Sequence, residues 1–114
     1  MALLATGCQR RPEAPIVTIE HEVSPLPARL GPATITLRVI DLSGHAVTGA
    51  RITLEGNMSH AGMAPVFAEA KELGSGRYQA HLEFTMGGDW IVLVHLTMPD
   101  GRKSEQQFDV KGVR

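Results

Sequence analysis

Residues 33–41 read Ala33-Thr34-Ile35-Thr36-Leu37-Arg38-Val39-Ile40-Asp41. Ile35, Leu37 and Val39 alternate with Thr34, Thr36 and Arg38, a period of two that suits a strand with one buried face and not a helix. The same alternation recurs on both sides. Upstream, Ile16 to Val23 sets Val17 and Ile19 against Thr18 and Glu20. Downstream, Ala50, Ile52 and Leu54 alternate with Arg51, Thr53 and Glu55, and Tyr78, Ala80, Leu82 and Phe84 with Arg77, Gln79, His81 and Glu83. Trp90 to Met98 is apolar on both faces at its start, as expected of a central strand. Lys103 to Val110 closes the series with Phe108 and Val110 on its apolar face.

Turn signals separate these runs: Ser24-Pro25-Leu26-Pro27, Gly31-Pro32, Asp41-Leu42-Ser43-Gly44, Gly74-Ser75-Gly76 and Pro99-Asp100-Gly101. Ala64 to Leu73 has a helix-friendly composition, but Val66, Ala68 and Ala70 also fit a strand, and the segment is taken as an edge strand, or a strand with a short turn. The expectation is an all-β chain, a single immunoglobulin-like β-sandwich of about seven antiparallel strands over residues 16–114. The 114 residues support one such domain.

Composition narrows the function. Net charge is −1, and no basic cluster exceeds the Arg10-Arg11 pair, so the electrostatic footprint of a nucleic-acid binder is missing. Aromatic residues are 4% of the chain, too few for a single-strand stacking platform. No apolar run approaches the ~18–20 residues of a membrane span. One cysteine excludes an internal disulfide and a Cys-rich zinc site.

That cysteine ends Leu4-Ala5-Thr6-Gly7-Cys8, which resembles the end of a bacterial lipoprotein signal peptide, where small residues precede a lipidated cysteine. Residues 1–15 then read as a truncated signal followed by a short polar tether, Gln9 to Pro15. The resemblance implies a membrane anchor on Cys8 and a place in the bacterial envelope, periplasmic or extracytoplasmic. The segment has no basic n-region and an apolar stretch shorter than usual, so the signal is expected to extend upstream. The alternative is an ordinary free cysteine near a terminus.

Four short motifs follow one another: Asp41-x-x-Gly44-x-x-Val47-x-Gly49-Ala50, Met58-x-His60-x-x-Met63-x-Pro65, Gly76-x-Tyr78 and Phe84-x-Met86-x-Gly88-x-Trp90. Together they resemble the YtkA-like family, related to FixH-type domains, over roughly Ile35 to Val110. The resemblance implies a small envelope module with an immunoglobulin-like fold. It also implies a metal-related role beside copper-handling or oxidase-assembly proteins.

The residues themselves point the same way. Thioether and imidazole suit Cu(I), and Gly56-Asn57-Met58-Ser59-His60-Ala61-Gly62-Met63 supplies both on a Gly-containing loop. In this fold the first, third and fifth connections emerge at one end. That would gather Met58, His60, Met63 and Met86, together with His21, read as ending the first strand at the entry to its connection; the alternative for His21 is burial against neighbours by its strand phase. Met98 and His45 belong to the other end, and His81 and His95 fall mid-strand. Against this stands the ordinary use of methionine as a core plug and of a loop histidine as a solvated side chain. Trp90 and Tyr78 read as core, the tyrosine hydroxyl seeking a partner.

No nucleophile elbow accompanies Ser59-His60, Cys8 is remote from any histidine, and Glu69 and Glu72 read as a solvated pair. The chain is therefore expected not to be an enzyme. Two functions are carried forward: a lipid-anchored module that binds or transfers Cu(I), and a metal-free accessory domain that contacts other envelope proteins.

Overall fold

The computed structural model describes residues 16–58 and 64–114. Cys8, His60 and Met63 lie outside the described residues, as does the whole of the 1–15 segment. Eight strands form: β1 (Val17–Ser24), β2 (Gly31–Asp41), β3 (Arg51–Met58), β4 (Val66–Glu69), β5 (Lys71–Gly74), β6 (Arg77–Phe84), β7 (Gly88–Thr97) and β8 (Lys103–Val113). They make two four-stranded sheets, ordered β1-β2-β6-β5 and β4-β3-β7-β8, with every pairing antiparallel. The all-β sandwich read from the period-two runs is the fold observed.

The alternating pattern becomes the core directly. Ile35, Leu37, Val39, Ile52, Leu54, Leu82, Phe84, Trp90, Val92, Val94 and Leu96 are buried between the sheets. Among the described residues, no polar or charged residue is buried. The doubly apolar run at Trp90 is the inner strand β7, paired with β3 on one side and β8 on the other.

One expectation is corrected. Ala64 to Leu73 is not a single edge strand. Val66–Glu69 pairs with β3, and Lys71–Gly74 pairs with β6 in the opposite sheet. The crossing falls at Ala70, whose N–H donates to the Ile52 carbonyl at 3.0 Å. Ala68 and Ala70 pack partly buried against the core, and side chains this small let the backbone pass from one sheet to the other at close range. This raises the strand count from seven to eight.

The opposite side is held by side chains. The Gln106 amide donates to the Val17 carbonyl at 2.9 Å, and His21 stacks on Phe108 with centroids 3.9 Å apart and planes 10° off parallel. These contacts join β1 to β8, one strand from each sheet.

The Tyr78 hydroxyl ties the β2–β3 connection to the core. It donates to the Val47 carbonyl at 2.8 Å and accepts from the Ala50 N–H at 3.1 Å. Burial is the first reason its pKa is raised above 10.0. At the start of that connection, the Asp41 carboxylate accepts the N–H groups of Ser43 and His45, each at 2.9 Å.

Candidate metal site

β3 ends at one end of the sandwich, and its period carries on through Ile52, Leu54, Gly56 and Met58. That phase turns Met58 inward, directly opposite Trp90 of β7. Met58 is 8% exposed. It is therefore a strand residue filling the rim of the core, not the loop residue expected from the glycines around it. Gly88 shapes the space it fills: a Cβ there would lie 3.1 Å from the Met58 Cε, and the backbone φ of +126° also favours glycine.

The β6–β7 connection arrives at the same end, since Phe84 is the last residue of β6 and Gly88 the first of β7. Trp90 holds it. The indole is buried against Phe84, with ring centroids 5.2 Å apart, and its Nε1–H donates to the Met86 carbonyl at 2.9 Å. That bond uses the backbone of Met86 and not its thioether; the residue is 42% exposed. Residues 59–63, with His60 and Met63, continue the chain directly from Met58.

The β1–β2 connection closes the same end, because Gly31 at the start of β2 pairs with Phe84. Beside it an open groove of about 410 Å³ runs between Val23, Leu26, Ala28 and Val110.

His21 does not belong to this group. β1 runs three residues past it, to Ser24, so it sits mid-strand opposite Leu37. Its phase follows Val17 and Ile19 towards the space between the sheets, where it meets Phe108. Six residues separate Leu37 from Gly31 along β2, about 20 Å at the usual rise. Met58 and the connection carrying Met86 thus lie at one end of the sandwich, and His21 lies mid-strand away from it. His45 and Met98 lie at the far end, in the β2–β3 connection and just beyond β7, as expected.

Among the described residues, no three His, Cys, Asp or Glu side chains gather to hold a metal ion.

Sequence reasoning passed over a polar cluster on the outer face of the second sheet. His95 Nε2 lies 2.9 Å from Glu55 Oε1, and His95 Nδ1 lies 4.0 Å from Glu105 Oε2. Asn57 donates to Glu55 Oε2 at 3.1 Å. The Asn57 hydrogen bond, followed by that of His95, holds the Glu55 carboxyl below its usual 4.5. The signal was present as a mid-strand histidine in an apolar strand, but its partners depend on strand register.

Residues 15–95 match the YtkA-like family, well over half of the chain. The chain belongs to that family. None of the curated proteins matches it. The matched span ends within β7 of this YtkA-like chain, short of the Val110 limit expected from the motifs, so it leaves β8 out.

The fold gives most of the motif residues a structural task. Asp41 caps a turn, Val47 and Ala50 receive the Tyr78 hydroxyl, Trp90 fastens the Met86 backbone, and Gly88 admits Met58. Gly76 has φ +80°, and a Cβ there would stand 2.9 Å from both the Ala46 Cβ and the Val39 carbonyl oxygen. The Met86 side chain, 42% exposed, is less enclosed than these.

Proposed function

We propose that this YtkA-like chain is an extracytoplasmic accessory module that binds Cu(I) and passes it to a partner. The donors would be the thioethers of Met58, Met86 and Met63 with the imidazole of His60. The observation that carries the reading is Met86: a methionine 42% exposed, on a connection whose backbone Trp90 fixes, at the end of the sandwich where β3 finishes at Met58. Soft sulfur donors suit Cu(I), and weakly held thioethers exchange one at a time, which favours transfer over storage. His21, occupied by Phe108 on another part of the sandwich, is left out of the ligand set. The lipobox-like segment ending in Cys8 would tether the module to a membrane. The copper-handling or oxidase-assembly neighbours implied by the family resemblance are the partners proposed. No turnover is assigned to it.

A metal-free accessory role has its own support in Met58, whose burial fits a core plug as well as a ligand. Titrating the apo-protein with Cu(I) against a competing chelator separates the two. The copper reading expects stoichiometric binding that falls about tenfold or more in His60→Ala, Met63→Ala and Met86→Ala, a loss of ~1.4 kcal/mol each. If wild type binds no more tightly than these variants, the metal-free role stands. Trp90 fluorescence supplies a second readout, since its indole is bonded to the Met86 carbonyl.

A further inference from the structure

The two outer faces of the sandwich differ in kind. On the first sheet, the strand register aligns Glu20, Arg38 and Arg77 in one row, Glu22, Thr36 and Gln79 in the next, and Ser24, Thr34 and His81 in a third. This is an ordinary solvated face. On the second sheet, the register aligns Phe67, Glu55, Leu93 and Gln107, and in the adjoining row Asn57, Ile91 and Asp109. Ile91 and Leu93 are half-buried on the inner strand β7, and Phe67, on β4 across Glu55, is 64% exposed. The row beyond holds Glu69, Thr53, His95 and Glu105. The last row, Arg51, Thr97 and Lys103, brings in cationic side chains, and at the other end of β8 Lys111 follows Asp109 by two residues.

We propose that this face docks a cationic segment of a partner protein, one that presents Lys or Arg side chains around apolar anchors. Leu93 and Ile91 on β7, with Phe67 on β4 across the intervening Glu55, supply the anchoring contact, the exposed aromatic ring being its main element. Glu55, Glu69, Glu105 and Asp109 surround it with negative charge, and His95 is the basic group among them. The frame is preorganised. Glu55 is held by Asn57 and by His95, so less side-chain freedom is lost on docking. The same charges argue against a second copy of this chain as the occupant, because two such faces would oppose carboxylate to carboxylate. The inference rests on the accessory-module reading and not on copper.

The test uses the full chain, with a copper chelator present throughout so that failure of the metal site leaves the result untouched. The probe is a synthetic ten-residue peptide of alternating Lys and Leu, with its Glu-Leu counterpart as control. Binding is mapped by backbone amide NMR shifts. The expected shifts fall on Glu55, Phe67, Ile91, Leu93 and Glu105, and affinity drops about tenfold between ~50 and ~500 mM salt. Phe67→Ser and Glu105→Gln, both at exposed positions, should each weaken binding several-fold with unchanged thermal stability. Shifts centred on the first sheet, or equal binding of the Glu-Leu peptide, would overturn the proposal. So would a dimer in sedimentation that Phe67→Ser dissolves, since that would make the face a self-association surface.

Discussion

Met58→Leu separates the sulfur of this residue from the space it fills. The thioether lies at the rim of the core, opposite Trp90, with its methyl end against Gly88. Truncation to alanine would vacate that space; methionine-to-alanine changes in cores cost about 2–5 kcal/mol, and a rim position with 8% exposure belongs near the lower end. Leucine keeps nearly the same volume, so Met58→Leu should cost less than about 1.5 kcal/mol. It removes the only atom able to bind a soft metal. Met86→Ala makes the complementary case. Met86 is 42% exposed and the Trp90 bond uses its carbonyl, so stability should stay within about 0.5 kcal/mol of wild type. Urea unfolding, with the m-value unchanged, gives the stabilities, and Cu(I) competition on the same samples gives the affinities. Both variants should bind Cu(I) about tenfold or more weakly, equivalent to ~1.4 kcal/mol. Affinity within a factor of about two of wild type in Met58→Leu would make that residue a plug and nothing else. A loss above about 1 kcal/mol in Met86→Ala would show that its side chain does have a packing role.

Three further outcomes are expected. Tyr78→Phe strands the buried Val47 carbonyl and should cost about 1–3 kcal/mol, seen as a Tm lowered by roughly 4–8 °C per kcal/mol; a shift under about 2 °C would contradict the bonding described. Because Tyr78 holds its proton more tightly folded than unfolded, its contribution is complete below pH 10.0 and is lost as pH rises through the raised folded pKa, a decline that Tyr78→Phe should lack. Gly76→Ala combines a left-handed backbone with 2.9 Å approaches and should destabilise by about 2–4 kcal/mol, whereas Gly44→Ala, at φ +87° with open space around it, should cost nearer 1–2 in thermal unfolding. Glu55 is lowered, so it favours folding above pH 4.5 and loses that effect as pH falls through its folded pKa. Asn57→Ala should therefore flatten the rise of stability with pH between about 3 and 5, and an unaltered slope would refute the assignment.

Period-two runs made the sandwich legible, since each strand carries its own inward set and needs no knowledge of its partners. The crossing at Ala70 was not legible, because both halves of Ala64–Leu73 alternate acceptably and only pairing reveals that they pair in different sheets. Met58 was readable in principle: the phase from Ile52 predicts an inward residue, and attention to the neighbouring glycines hid it. The phase of His21 was likewise visible, but Phe108, its stacking partner, lies far along the chain and no local pattern links them. Met86 was read correctly as a residue of the β6–β7 connection. Its attachment through a carbonyl to Trp90 could not be anticipated, since a backbone acceptor leaves no mark on residue type.

The two long sides of the molecule are fastened in different ways, rather as a book has a spine and a clasp. The spine is the continuous chain through Ala70 and cannot part without unfolding. The clasp is the amide of Gln106 on the Val17 carbonyl together with the His21–Phe108 stack, a closure in which each contact depends on a side chain. β1 has β2 as its one strand neighbour, so releasing the clasp leaves it hinged along a single ladder. Tension applied through the residues that precede β1 would fall on the clasp before it reached the core. The strand that joins the domain to its leading segment is thus also the one whose loss exposes the sandwich from the side.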